Sequence, residues 1–253
     1  MKAIQEFTLA ILILLVSENL SAQNFFIGAR GGISIPNLTA GGSESNPLNT
    51  GYKSRLGGDA AIFAEFPVTA VFSIQPMIEY SSQGGKKEGM QAFPTPPQYA
   101  PMFPQGAPAY LYANFKSEAK LNYLLVPVLA KFGWNIHSSP LRIYVDAGPF
   151  AGFLLSAHQV LKGSSNIFMD PKGQQQLTPA PQNFDSTKNI QDQLNTFNFG
   201  VSGNLGIAYH FNQSRIFLEG GGNFGFLNIQ KGSANGKNNT GAGTVDIGYA
   251  HRF

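Results

Sequence analysis

Ten charged residues fall on the polar side of stretches that alternate at period two: Arg30, Asp59, Glu65, Glu79, Arg142, Asp146, Arg215, Glu219, Asp246 and Arg252. Four guanidiniums against six carboxylates is the chemistry of ion pairing. Charges of both signs that share a face away from water must pair and hydrogen-bond, or each costs several kcal/mol. The residues therefore predict a polar network that fills and holds an interior. Strung along an open wall, the same arginines would instead line a narrow route for ions or solutes.

Other reactive groups are sparse. The four histidines are His137, His158, His210 and His251, and only His210 sits firmly on the polar parity of a strand. Ser156 and His158 are the one Ser/His pair near what would be the outer rim, but no motif flanks them, so no catalytic residue is assigned and no enzyme is expected. HxxxH and CxxC spacings are absent, so no metal ligands are assigned, and no cofactor is expected. Gly220, Gly221 and Gly222 lack the helix and lysine of a phosphate loop; inside a strand they suit curvature or close packing.

The elements that position these residues read as strands. Alternating runs cover 26–35, 56–66, 71–81, 141–155, 197–211, 215–226 and 243–253, each with one apolar and one polar face. The run 120–132 is apolar on both parities, which leaves its facing open. Each run has the ~10 residues a tilted strand needs to cross a bilayer. The links alternate in length. Long ones are read at 36–55, 82–117, 158–195 and 229–241, and short ones at 67–70, 133–140 and 212–214. That pattern predicts an all-β fold, an eight-stranded antiparallel up-and-down transmembrane β-barrel with long extracellular loops and both termini periplasmic. A soluble eight-stranded barrel would turn its apolar face inward instead.

Composition agrees with a barrel. Charged residues make up 12% of the chain, about half the share of a soluble domain, and there are no cysteines. A net charge of +3 and the lack of any recognition motif argue against nucleic acid. Lys2, the apolar run 7–16 and the small residues Ser21 and Ala22 have the layout of a secretory signal peptide over 1–22, with the barrel domain over 23–253. Phe66, Trp134, Tyr209, Phe211, Tyr249 and Phe253 fall near the inferred periplasmic strand ends, as an aromatic girdle does. The last strand places Ile247, Tyr249 and Phe253 on the lipid-facing parity, and this aromatic ending resembles the C-terminal signal that the outer-membrane assembly machinery recognises; Phe253 as a girdle residue alone is the alternative. Segments 93–108 and 171–182 are rich in proline and favour extended or disordered states. The loops 82–117 and 158–195 are thus candidate surfaces for a protein or environmental partner. DST at 185–187 resembles an O-glycosylation acceptor.

LNYLLVPVLAKF (121–132), FSIQPMIEYSSQG (72–84), YVDAGPFAGFLLSA (144–157) and the closing DIGYAHRF are similar to strands of the PorT-like outer-membrane β-barrel proteins of the Bacteroidetes type. The resemblance implies an eight-stranded barrel in the outer membrane of a Gram-negative bacterium. Met77 and Leu125 depart from it, standing where many members carry an acidic residue. Two functional classes follow: a non-enzymatic anchor with loop-mediated interactions, or a transport-related protein, either a narrow channel or an accessory of a type IX-like secretion system.

Overall fold

The computed structural model describes residues 25–40, 47–48, 51–232 and 236–253. The signal peptide expected over 1–22 lies outside the described residues. Eight long strands carry the fold: β1 (Phe26–Ala40), β2 (Gly57–Pro67), β3 (Phe72–Pro94), β4 (Tyr110–Asn135), β5 (Leu141–Lys162), β6 (Phe197–Phe211), β7 (Ser214–Gly225) and β8 (Asn238–Arg252). Each pairs antiparallel with its neighbour in the chain, and β1 pairs with β8 from Phe26↔Arg252 to Ala40↔Asn238. The ring is closed, so its wall has no free edge.

Exposure decides which way the barrel faces. Leu205 and Ile247 are 68% and 67% exposed, and Ile33, Ile62, Ile78, Val145 and Leu218 also point outward. The alternate positions Arg30, Asp59, Glu79, Asp146 and Glu219 are buried. A barrel with an apolar outside and a polar inside is built for lipid. Strand β4, whose facing the sequence left open, turns Leu121, Tyr123, Leu125, Leu129 and Lys131 inward and Val126, Val128, Phe132 and Trp134 outward.

Aromatic side chains mark both edges of the apolar band. Trp134, Tyr209, Tyr249 and Phe253 are exposed at the short-turn end, where Phe25 stacks on Phe66 at 6.0 Å and on Phe253 at 5.7 Å. At the other end Phe153 meets Phe197 at 5.7 Å and Phe199 meets Phe226 at 6.1 Å. Ten residues of tilted strand separate Phe199 from Tyr209, which gives a band roughly 25 Å tall.

Strands β3, β4 and β5 run for 23, 26 and 22 residues, about twice what the membrane needs. Their outer halves project as a wall beyond the aromatic belt. Segment 82–117 is therefore not a loop, in contrast to the sequence reading. Residues Gln83↔Leu121 to Pro94↔Tyr110 are paired, and only 95–109 connect the strands. Outside the lipid the outer face meets water, and the inner face, though it buries Leu111, Ala113 and Phe115, also carries Lys87, so the apolar pattern weakens while the backbone ladder continues. Gly84 marks the departure. Its φ is 117°, and a Cβ there would lie 2.0 Å from the Ala119 carbonyl oxygen.

The proline-rich tip is likewise structured. Residues Pro97–Met102 form a 3₁₀ turn, and Thr95 N–H donates to the Ala109 carbonyl at 3.2 Å. In the link 163–196, residues Ser186–Asn189 pair antiparallel with His158–Leu161 of β5, and Ile167–Phe168 pair with Tyr112 and Ala113 of β4. The turn at 170–175 closes on Asp170, whose carboxylate accepts from the N–H groups of Lys172 (2.9 Å), Gln174 (2.9 Å) and Gln175 (2.6 Å). These donors hold the carboxyl below the usual carboxylate range.

Candidate functional site

The inward faces of the strands fill the lumen in layers. In the middle, Arg30 of β1 bridges two strands that are not its neighbours. Its Nη2 donates to Glu79 of β3 at 2.7 Å, and its Nη1 donates to Glu219 of β7. Tyr144 of β5 donates its hydroxyl to the second Glu219 oxygen at 2.6 Å. Asp59 and Asp246 are buried in the same layer, facing Arg30 from β2 and β8. Asp146 accepts from Asn204 Nδ2 at 2.8 Å.

One layer nearer the short turns, Glu65 accepts from Arg215 Nη2 and, at 2.9 Å, from the Ser73 hydroxyl. Lys131 lies 3.3 Å from the same carboxylate, donates to Gln75 Oε1 at 2.9 Å and stands 3.8 Å above the Tyr144 ring. Buried ion pairs hold where their geometry is good and further hydrogen bonds satisfy them; Asp59, Asp146 and Asp246 form no ion pair among the described residues. Lys131 was not among the sequence candidates, although it is the single charged residue between Leu121 and Trp134. That isolation was the available signal: in a lipid-spanning strand a lone lysine belongs inside.

Eight of the ten candidates are buried together. Arg142 and Arg252 are not. Arg142 is half-buried at the short-turn mouth, bound to Asn135 Oδ1 at 3.2 Å and to the Ala70 carbonyl at 3.1 Å. Arg252 is exposed there, 5.1 Å from the Phe26 ring centroid. The interior charges are thus Arg30, Arg215 and Lys131 against Asp59, Glu65, Glu79, Asp146, Glu219 and Asp246.

The long-loop half of the lumen holds an apolar cluster beside the buried pair Asn198 and Thr240, joined at 2.8 Å. Leu38, Leu121, Tyr123, Leu125, Phe150, Leu154 and Ala157 pack with Leu194 and Ile229, which the links before β6 and after β7 fold in over the opening. Leu125 belongs to this plug, and Met77 to the apolar cluster at the other end with Phe63, Leu129 and Phe217. The two positions that depart from the resembled family pattern are therefore lumen positions filled by hydrocarbon. Between the layers Gln83 Nε2 donates to Ser81 and Asn223, both at 2.9 Å. At Gly221 and Gly222 a Cβ would meet the Gly203 carbonyl oxygen at 2.3 Å and the Ala242 carbonyl oxygen at 2.4 Å, so these glycines permit close backbone approach.

Above the plug, the projecting wall encloses a cavity of about 380 Å³ whose lining includes Tyr52, Lys87, Phe115 and Phe184. Lys87 lies 4.4 Å from the Tyr52 ring and donates to the Leu48 carbonyl at 2.7 Å; burial pushes its ammonium down to about 8. Ser156 is engaged as an acceptor from Asn122 Nδ2 at 3.0 Å. Among the described residues no group of three or more His, Asp or Glu side chains is placed to hold a metal ion. Asp185 of the DST stretch accepts from the Gly163 N–H at 2.8 Å, and Ser186 and Thr187 lie in the short strand that pairs with β5.

The family model described as outer membrane protein beta-barrel domain matches residues 21–231. No curated protein matches the chain. Among solved structures the chain is similar to Neisserial surface protein A, at 14% identity over 90% of this chain and 97% of that one, with a TM-score of 0.40. It is similar also to a major outer membrane protein from Thermus thermophilus, at 10% identity over 92% and 100% of the two chains (TM-score 0.45). The attachment invasion locus protein Ail of Yersinia pestis is similar at 9% identity, over 92% and 100% (TM-score 0.38).

Proposed function

The chain belongs to the outer membrane protein beta-barrel domain family, and from that membership and its filled lumen we propose that it is a non-enzymatic outer-membrane anchor. Its work is done by the wall that β3, β4 and β5 raise beyond the lipid. The observation that carries this reading is the plug. Leu121, Tyr123, Leu125, Phe150 and Leu154 close the barrel above a layer of paired charges, while the strands outside stay paired for another half of their length. A wall of that size, with the connections 95–109 and 163–196 at its rim, is suited to contact with a protein or surface partner.

The short-turn end, which holds both described chain ends, faces the periplasm in this reading. The strand motifs support grouping the chain with the PorT-like, Bacteroidetes-type members of the family. Outer-membrane lipid is its solvent, and Ile247, Tyr249 and Phe253 are the lipid-facing residues that the assembly machinery engages. A transport-related role would require the plug to move. Purified protein in planar bilayers tests the choice. The anchor reading expects no steady current from the wild type; reproducible current whose ion selectivity changes with an interior charge would replace it with the channel.

A further inference from the structure

The short-turn mouth opens into a cavity of about 400 Å³ whose lining includes Arg142, Arg215, Arg252, His210, Phe26 and Glu65. Three guanidiniums share this mouth with one carboxylate, and that carboxylate is already taken by Arg215 and Lys131. Arg142 and Arg252 form no ion pair among the described residues. The guanidinium of Arg215 lies 4.4 Å from the Phe26 ring centroid and that of Arg252 lies 5.1 Å from it, so one ring carries two like charges. The Nε2 atom of His210, which meets the same ring edge-on at 6.5 Å, is buried without a partner.

The remaining acids do not neutralise this end. Arg30, around which the next acids gather, lies four residues up β1 from Phe26, roughly 13 Å along the strand. Converging guanidiniums repel one another in a partly desolvated cup, and a ligand with two or more negative charges relieves that repulsion. The planar fork of arginine matches the oxygens of a phosphate group. These groups are on the inward face of the wall, so the ligand comes through the mouth rather than from the lipid.

We propose that the short-turn mouth is a binding site for a small soluble polyanion of the phosphate-ester class. Arg142, held by Asn135 and the Ala70 carbonyl but without an acid partner, and Arg252 are its clamps, Arg215 its fixed floor, and His210 a further hydrogen-bonding group. The site stands apart from the projecting wall and does not depend on what that wall contacts.

The probe is pyrophosphate, titrated calorimetrically into the full protein refolded in a non-ionic, phosphate-free detergent. One-site binding is expected. Arg142→Gln and Arg252→Gln should each weaken it at least tenfold, while Lys116→Ala, which removes one charge from the opposite end, should leave it unchanged. Absence of saturable binding, equal binding by the double arginine variant, or equal weakening by Lys116→Ala overturns the site. Should the variants fold poorly, wild-type protein with labelled histidines suffices: pyrophosphate should shift the His210 ring signals more than those of His137, His158 or His251, and a silent His210 overturns it. Repeating the titration in bilayer discs of phosphatidylcholine and of phosphatidic acid separates the ligand sources. Affinity should be the same in both, and its loss in phosphatidic acid would assign the site to a lipid headgroup instead.

Discussion

Lys131 of β4 and Glu65 of β2 meet across the lumen at 3.3 Å although β3 lies between their strands. The contact ties non-adjacent strands, and Arg215 of β7 joins the same carboxylate from the far side of the ring. Changing Glu65 to Gln removes the one acid that two buried cations share. The expected loss is roughly 3–5 kcal/mol, the usual cost of a buried charge left without its partner. Lys131→Met should cost less, because Arg215 still compensates Glu65. Urea unfolding in lipid vesicles, read by heat-modifiable migration, measures both. An unchanged midpoint for Glu65→Gln would remove the network from the list of stabilising features.

Face was legible in the sequence; depth and extent were not. Period-two alternation assigned Arg30, Asp59 and Glu219 to the interior because a strand offers only two sides. The same parity includes Arg142 and Arg252, and parity says nothing about height, so two mouth residues were grouped with the core. Lys131 was missed because Leu124, Leu125, Val126 and Val128 make both sides of its strand apolar: the plug needs hydrocarbon inside just as the lipid does outside. The projecting halves of β3 and β4 read as loop because Lys86, Lys87, Glu88 and Lys116 stand where neither face is buried in lipid. Backbone pairing continues there without a side-chain pattern to announce it.

Orientation can be tested on cells. Protease added outside should cut within 95–109, the exposed connection between β3 and β4, and within 169–182. It should spare 68–71 and Asn212–Gln213, which join strands at the other end. The paired segment 84–94 should resist, since its backbone is tied into the ladder with 110–120. Cutting at 212–213 in sealed cells, with the 95–109 connection intact, would invert the assignment.

The turn at 170–175 should respond to acid. Three backbone N–H groups bind the ionised Asp170, so its carboxyl titrates lower in the folded turn than in an unfolded chain. The stabilisation is therefore complete above the unfolded value, about 4, and is lost as pH falls through the folded one. Amide protection at Lys172, Gln174 and Gln175, corrected for intrinsic exchange, should fall between pH 5 and pH 2.5 while the barrel ladder stays protected. Asp170→Asn should flatten that dependence. Equal protection at both pH values in the wild type would show that the turn is held by something other than this charge.

Phe253 closes the seam of the barrel. Its N–H donates to the Phe25 carbonyl at 2.9 Å, and its ring stacks on Phe25, which stacks in turn on Phe66 next to the end of β2. One residue thus fastens β8 to the start of β1 and, through Phe25, to β2, at the level of the aromatic belt. Deleting Phe253 removes a backbone hydrogen bond worth about 1 kcal/mol and a ring contact of about 0.5–1.5 kcal/mol. Most of the β1–β8 ladder remains, so the folded barrel should persist with a modest fall in stability. Folding into the membrane should slow, because the contact that is lost is one that joins the two end strands. Truncation after Gly248 also removes Tyr249 and the pairs Phe26↔Arg252, Ile27↔His251 and Gly28↔Ala250, and should leave much of the chain unfolded. Pulse-chase folding into lipid vesicles, scored by heat-modifiable migration, separates rate from yield. Slower folding at near-normal yield for the first variant, and a collapsed yield for the second, is the expected pair. Wild-type rates in the Phe253 deletion would show that β1 and β8 find each other without the clasp, and would leave its aromatic ring only the belt position to explain it.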